Sequence, residues 1–333
     1  MDQNLKSKHK YRKYLPLVLT LIAGFSAGFL LKGLMQEKPV HKAYEVRLGG
    51  YKYINPLLEC EQAQDVIENA ELMPFKNRVD NFIKDNLRKQ WGDEVSVYFR
   101  ELNDGLAFTI GKPEQFYPAS LLKVPEMMSV LKKADADPAI LKKRIAYDRP
   151  ELKSRQNTEV ADKLVFGRSY TIEELMERMI KYSDNVSSWL LEDALNPRDL
   201  RRVFDDLGIP NPADYADQDY VLSTETYSSF FRILYNASYL RKTSSEKALE
   251  YLSSTDYTKG LVAGVPPGTT VAHKFGLRKI NGTKQLHDCG IIYYPGHPYL
   301  LCIMTSGPAP EYLDTTIGDI SRFIYEEIDR QNR

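Results

Sequence analysis

The stretch "FYPASLLKVPEMMSVL", residues Phe116 to Leu131, sets a lysine inside an apolar run. Ser120 and Lys123 stand one helical turn apart there, among Leu121, Leu122, Val124 and Met127. Lysine is rarely buried unless paired or neutralised, because an uncompensated charge away from water is costly. Two readings follow. Either Lys123 lays its stem along the apolar surface and carries its amine outward, or the amine is held close to the Ser120 hydroxyl. A serine hydroxyl is a poor nucleophile until a neighbouring base takes its proton. A lysine is such a base only as a neutral amine, which burial and nearby cations favour. Positions i and i+3 share a helix face, so Lys123 is suited to activate Ser120. The pattern S-x-x-K alone decides nothing, since it arises by chance in many chains.

Upstream of this stretch, a helix is expected from about Pro74 to Gln90, with Phe75, Val79, Phe82, Ile83 and Leu87 on one face. The alternation of "VSVYFREL", the turn residues "NDG" and the alternation of "LAFTIG" predict a β-hairpin over Val95 to Gly111. Downstream, a mostly helical middle runs to about Leu252. Thr171 with Glu174 three residues on makes a capping box. "NVSSWLLEDAL" and "NPRDLRRVFDDLG" predict further helices, the second closed by Gly208, and another starts from Ser223 or Thr224. "NPADYADQDY" reads as a polar loop. Beyond Pro267, "TTVAHKFGL", "QLHDCGIIYYP" and "YLLCIMTSG" predict strands, the last two joined through "GHP" as a second hairpin. A closing helix spans about Glu311 to Asp329. This order predicts an α/β molecule of α+β sandwich type: an antiparallel sheet built from both ends of the domain, flanked by helices, with an inserted all-helical subdomain.

The 45 basic and 45 acidic side chains cancel, which removes the bulk field that would attract nucleic acid. Their placement is uneven. Lys6, Lys8, Lys10, Arg12 and Lys13 precede the uncharged "YLPLVLTLIAGFSAGFLL", Tyr14 to Leu31. That run is close to the roughly 20 residues that cross a bilayer as a helix. No small-x-small site follows it, which favours an uncleaved signal anchor over a cleaved secretory signal. The basic flank then stays in the cytoplasm and the chain from about Lys32 faces outside. The expected organisation is a basic tail over 1–13, a transmembrane anchor over 14–31, a juxtamembrane stalk and lead-in over 32–72, and a catalytic domain over 73–333. Cys60, Cys289 and Cys302 form an odd set without a full disulfide framework. Cys289 and Cys302 fall on successive strands, and the expectation is two small buried hydrophobes rather than a bridge. His9, His41, His273, His287 and His297 are scattered, the cysteine spacing matches no zinc site, and no metal is expected.

Two more stretches change the weight of S-x-x-K. "YSDN" places Ser183, Asp184 and Asn185 directly after the capped helix, and "HKFG" places Lys274, Phe275 and Gly276 in a strand. Taken singly, the first reads equally as a helix cap or Asx-turn and the second as a solvated strand. In this order and on these elements, the chain resembles the penicillin-recognising serine enzymes. The match is nearest to the class A β-lactamases, whose signature is S-x-x-K, S-D-N and K-T-G. The resemblance extends from about Tyr53 to Ile328. It implies a β-lactamase/transpeptidase-like fold without a cofactor. It also implies Ser120 as the acylated nucleophile, Lys123 as its general base, and Ser183 as the proton relay to the departing nitrogen. Asn185 would hold the substrate's side-chain amide, and Lys274 would supply positive potential. The backbone N–H groups of Ser120 and of Leu277, after Gly276, would receive the oxyanion. Asp184 is expected to brace its own turn.

Two departures stand out. Phe275 replaces the hydroxyl residue of K-T-G, and Cys289 occupies the place on the next strand where a basic residue for the substrate carboxylate is sought, leaving Arg278 or Lys284 as substitutes. The loop glutamate that activates the hydrolytic water in class A enzymes has no evident counterpart. Asp214, Asp217, Asp219 and Glu225 are the acids in that region, and Glu225 suits the first turn of a helix. Asp217 and Asp219 are the candidates to position a water, with a shorter side chain and no pattern that selects either. The resemblance therefore implies a membrane-anchored serine hydrolase acting on β-lactam amide bonds. The alternatives are a DD-peptidase acting on peptidoglycan stem peptides, and a catalytically impaired wall-binding domain.

Overall fold

Alternate residues of the central strands enter two different cores, and this sorts the chain into layers. The computed structural model describes residues 44–61, 72–87, 94–111, 116–155, 160–215, 220–280 and 282–333, together with Pro16, Thr20 and Gly24, which are helical. Five antiparallel strands form the main sheet in the order β4-β3-β9-β8-β7. They are β3 (Glu94–Glu101), β4 (Ala107–Ile110), β7 (Val271–Ile280), β8 (Thr283–Ile292) and β9 (Tyr299–Gly307). On β3 and β9, Val97, Phe99, Leu301 and Ile303 pack outward with Phe75, Val79, Ile317, Ile320 and Ile324. The residues between them, Tyr98, Leu300, Cys302 and Met304, pack inward with the helical layer. Side chains alternate across a strand, so a sheet covered on both faces carries apolar residues at nearly every position.

The outer layer is α1 (Met73–Phe82) and α8 (Pro310–Asn332), the two ends of the predicted domain. The inner layer holds α2 (Lys123–Ala136), α3 (Ile172–Lys181), α4 (Asn185–Ala194), α5 (Pro197–Leu207), α6 (Thr224–Tyr235) and α7 (Lys242–Ser253). Small strands β5 (Arg144–Ala146) and β6 (Ser169–Thr171) pair beside α3. The expected caps are in place. Thr171 and Glu174 exchange both bonds of a capping box, Ser223 caps α6, and Gly208 ends α5 in the left-handed conformation at φ 64°.

Part of the expected stalk and lead-in is folded. β1 (Tyr44–Arg47) pairs with β2 (Leu57–Glu61), and the connecting residues Tyr53 and Ile54 are buried in the inner core. Their backbone N–H groups are held by the Glu246 carboxylate of α7. The expected anchor at Tyr14 to Leu31 lies outside the described residues apart from the three helical positions named above. Among the described residues no helix is long and apolar enough to cross a membrane.

The expectation for the cysteines is corrected. Cys289 and Cys302 stand directly opposite each other on β8 and β9 and are joined as a disulfide. Directly paired residues of antiparallel strands point to the same face, which brings the two sulfurs together.

Candidate active site

The nucleophile turn is short and tightly braced. Ser120 lies in a 3-10 turn, Ala119–Leu122, that runs into α2 at Lys123. The expected helix therefore begins with a tighter turn, and Leu121 N–H bonds to Pro118 O at 2.9 Å. The preceding segment is pinned at both backbone groups of Tyr117. Its N–H donates to Gln285 Oε1 at 2.9 Å, and its carbonyl lies 3.1 Å from His287 Nε2. Burial pushes the His287 imidazole down to about 4, so it is neutral and donates to that carbonyl. Tyr227 of α6 donates its hydroxyl to Leu121 O at 3.0 Å. No sequence pattern marks Gln285, His287 or Tyr227 for this task, because each acts across the fold.

Gly276 explains the glycine of the third motif. A Cβ at this position would meet Pro118 O at 2.7 Å and Leu121 N at 3.2 Å. Strand β7 thus lies against the serine turn with no room for a side chain. Lys274, Gly276 and Arg278 share one face of that strand by the two-residue period.

The charged groups converge on Ser183. Lys123 is buried (5% exposed) and donates to Ser183 O at 2.7 Å, to Ser183 Oγ at 3.3 Å and to Asn185 Oδ1 at 2.7 Å. Lys274 is fully buried and donates to the same Ser183 Oγ at 3.0 Å and to Phe275 O at 3.0 Å. With both lysine amines directed at its oxygen as donors, the Ser183 hydroxyl hydrogen is left for a third partner. No hydrogen bond joins Lys123 to Ser120 in this structure. The three acceptors around Lys123 match the three N–H bonds of an ammonium.

Burial and electrostatics act together here. Burial lowers Lys123 to about 8, against the opposing fields of Glu126, Asp184 and Glu192. Lys274 is lowered well below the usual lysine range, first by burial and then by the charge of Lys123, while Asp288 opposes the shift. Asp288 is itself fixed by Leu261 N–H at 2.8 Å and by His273 Nδ1 at 2.8 Å.

Backbone strain collects at the same place. Three non-glycine residues among those described have positive φ, and two are Ala119 at 49° and Ser183 at 54°. Such conformations cost of the order of 1 kcal/mol or more and persist where the surroundings impose them. Asp184 caps α4, accepting from Val186 N at 3.0 Å and from Ser187 Oγ at 2.7 Å, which is the bracing expected of it.

The remaining expected residues are placed as follows. Leu277 is exposed next to Gly276 on β7, the terminal strand of the sheet. Arg278 lies over the Tyr117 ring, 4.5 Å from its centroid. Lys284 pairs with Lys279 and Gly307 at the far end of β8. Phe275 is sandwiched: its ring stacks on Tyr257 at 4.1 Å, and Lys274 Nζ is 4.2 Å from its centroid. The hydroxyl of K-T-G is thus replaced by an aromatic face that attracts the ammonium. Cys289 pairs in register with Lys274 and spends its sulfur on Cys302. Of the loop acids, Asp214 pairs with Arg201 at 2.8 Å, Glu225 is exposed in the first turn of α6, and Asp217 and Asp219 lie outside the described residues. Among the described residues no group of three or more metal-ligating side chains comes together.

A family model described as the beta-lactamase enzyme family matches residues 74–328. The solved structure titled PBP-A is similar, with 23% identity over 78% of this chain and 97% of its own and a TM-score of 0.64. The class A beta-lactamase from Mycobacterium abscessus is 21% identical over 75% of this chain and 99% of its own, with a TM-score of 0.61. A beta-lactamase from Chitinophaga pinensis is 20% identical over 77% of this chain and 99% of its own, with a TM-score of 0.65. At these identities the likeness is one of fold. No curated protein sequence matches the chain.

Proposed function

The chain belongs to the beta-lactamase enzyme family, and we propose that it opens β-lactam amide bonds through an acyl-Ser120 intermediate. The observation that carries this reading is that Lys123, one turn along the chain from Ser120, meets Lys274 on the Ser183 hydroxyl. Lys123, as a neutral amine, takes the Ser120 proton while Oγ attacks the carbonyl carbon. The N–H groups of Ser120 and Leu277 receive the oxyanion. As the C–N bond breaks, Ser183 gives its proton to the departing nitrogen and recovers one from Lys123, so the base is regenerated. Lys274 supplies positive potential to Ser183 and to the substrate carboxylate, with Arg278 at the rim. Asn185 holds the substrate's side-chain amide.

A second reading is a DD-peptidase acting on peptidoglycan stem peptides. The engagement of Asp214 with Arg201 and the exposed first-turn position of Glu225 favour it, while Asp217 and Asp219, the other candidates for a water-activating base, lie outside the described residues. The proposal includes a single-pass anchor at Tyr14 to Leu31, with the catalytic domain outside the cytoplasm. Mass spectrometry during exposure to a chromogenic cephalosporin tests the substrate. Rapid turnover without a persistent adduct is the expected result. A long-lived adduct on Ser120 identifies the peptidase instead, and neither hydrolysis nor adduct at millimolar ligand leaves only the wall-binding alternative.

A further inference from the structure

One turn beyond Lys123, on the same side of α2, Glu126 is buried with 4% exposure. Its Oε2 accepts the Ser188 hydroxyl of α4 at 2.7 Å, and its Oε1 is buried with no hydrogen-bond partner. Lys123 makes no ion pair with it, since the ammonium spends its three donors on Ser183 and Asn185. The carboxylate nearest in sequence to the buried amine therefore acts across a helical turn rather than by contact. The other charges that bear on the pair are Glu192 and Asp184 from α4 and Lys274 from β7.

We propose that Glu126 is a positioning residue for proton transfer: its carboxylate, coupled to Lys123 across one turn of α2, determines when the amine is neutral and able to deprotonate Ser120. Burial disfavours the charged form of each group, drawing Lys123 down and pushing Glu126 up to about 8. Each charge favours the other, so ionised Glu126 keeps the proton on Lys123. Groups coupled in this way titrate as a pair, in two overlapping steps. At low pH the pair is an ammonium beside a neutral acid, and at high pH a neutral amine beside a carboxylate. One proton is shared between these limits. Ser188 orients one oxygen, and Glu192 adds a second negative field that resists ionisation of Glu126. Removing the Glu126 charge must lower the lysine's affinity for its proton and bring the neutral amine in at lower pH.

The part of this inference that concerns Ser120 rests on the acyl-enzyme reading above, so the test uses two readouts. The first is NMR titration of lysine side chains in the full chain in detergent, with the Lys123 signal assigned by its loss in Lys123→Ala. Glu126→Gln is expected to move the Lys123 midpoint to lower pH by at least about half a unit and to convert a broad transition into a single step. Glu126→Asp, which keeps the charge, is expected to retain the broad transition. The second readout is the pH profile of acylation by a chromogenic cephalosporin. On the acid side, Glu126→Gln is expected to acylate about threefold faster or more, that half-unit written as a rate. Superimposable Lys123 titrations in the wild type and Glu126→Gln overturn the proposal, and a broad transition lost equally in Glu126→Asp does the same. A shifted titration with an unshifted acylation profile upholds the coupling and instead overturns Lys123 as the base.

Discussion

Two buried cations aimed at one hydroxyl are unstable unless one of them gives up its proton. Each positive charge disfavours the other, and burial strengthens the effect by lowering the local dielectric. Lys274 is held below the usual lysine range first by burial and then by the charge of Lys123, so loss of the Lys123 proton relieves the repulsion and lets Lys274 keep its own. Lys123 is more amply supplied with acceptors and with acidic neighbours. Lys123→Ala is expected to lower acylation at least 100-fold, the usual weight of a general base. Its thermal midpoint should stay within a few degrees of the wild type, because the change also removes a buried charge. Acylation of Lys123→Ala at the wild-type rate would show that another group removes the Ser120 proton. Gly276→Ala belongs to the same scale. The added Cβ meets backbone atoms of Pro118 and Leu121 that cannot swing aside. The expected cost is about 1–3 kcal/mol in denaturant titration, with at least about a tenfold loss of acylation as the serine turn is displaced. An unchanged acylation rate would contradict the tight strand-to-turn packing.

Among the elements, β8 has the largest share in shaping the site. Gln285 and His287 hold the segment before Ser120, while Cys289 ties β8 to β9. A cross-link over a sequence separation of 13 restricts the unfolded chain by about 3 kcal/mol at most. Alkylation of the denatured, unreduced protein is expected to label Cys60 and to spare Cys289 and Cys302, with all three labelled after reduction. Labelling of Cys289 or Cys302 without reductant would remove the bridge. The helical caps, the first hairpin and the closing helix were legible because each depends on residues a few positions apart. β7 and β8 also form a hairpin, with Ile280 paired directly to Thr283. The alternation in "TTVAHKFGL" predicts a strand that ends near Leu277 and so only the hairpin between β8 and β9, whereas β7 runs on to Ile280.

At the level of the whole molecule, Tyr44–Glu61 is not a free tether. Glu246 and the inner core hold its turn, so the folded unit includes residues ahead of the matched family region. The proposed anchor is therefore expected to leave only a short link between the membrane and the fold. The full chain should remain in the membrane pellet through alkaline carbonate extraction, whereas a chain starting at Ala43 should be soluble and still form the Ser120 adduct. Recovery of the full chain in the soluble fraction would end the anchor proposal. An outward-facing domain also agrees with a disulfide, since such bridges persist in oxidising compartments.

Local pattern in the sequence determined the helices and strands, the order of the three motifs, and with it the family. Periodicity and capping are properties of neighbours along the chain. Only the tertiary structure decided that Cys289 meets Cys302, that Phe275 lies between Tyr257 and the Lys274 ammonium, and that Gln285 and His287 steady the serine turn. The same holds for the proton balance of Lys123. It depends on Ser183, 60 positions away, and on a carboxylate buried under α4. Charge state is set by what surrounds a group in space, and no pattern along the chain records that.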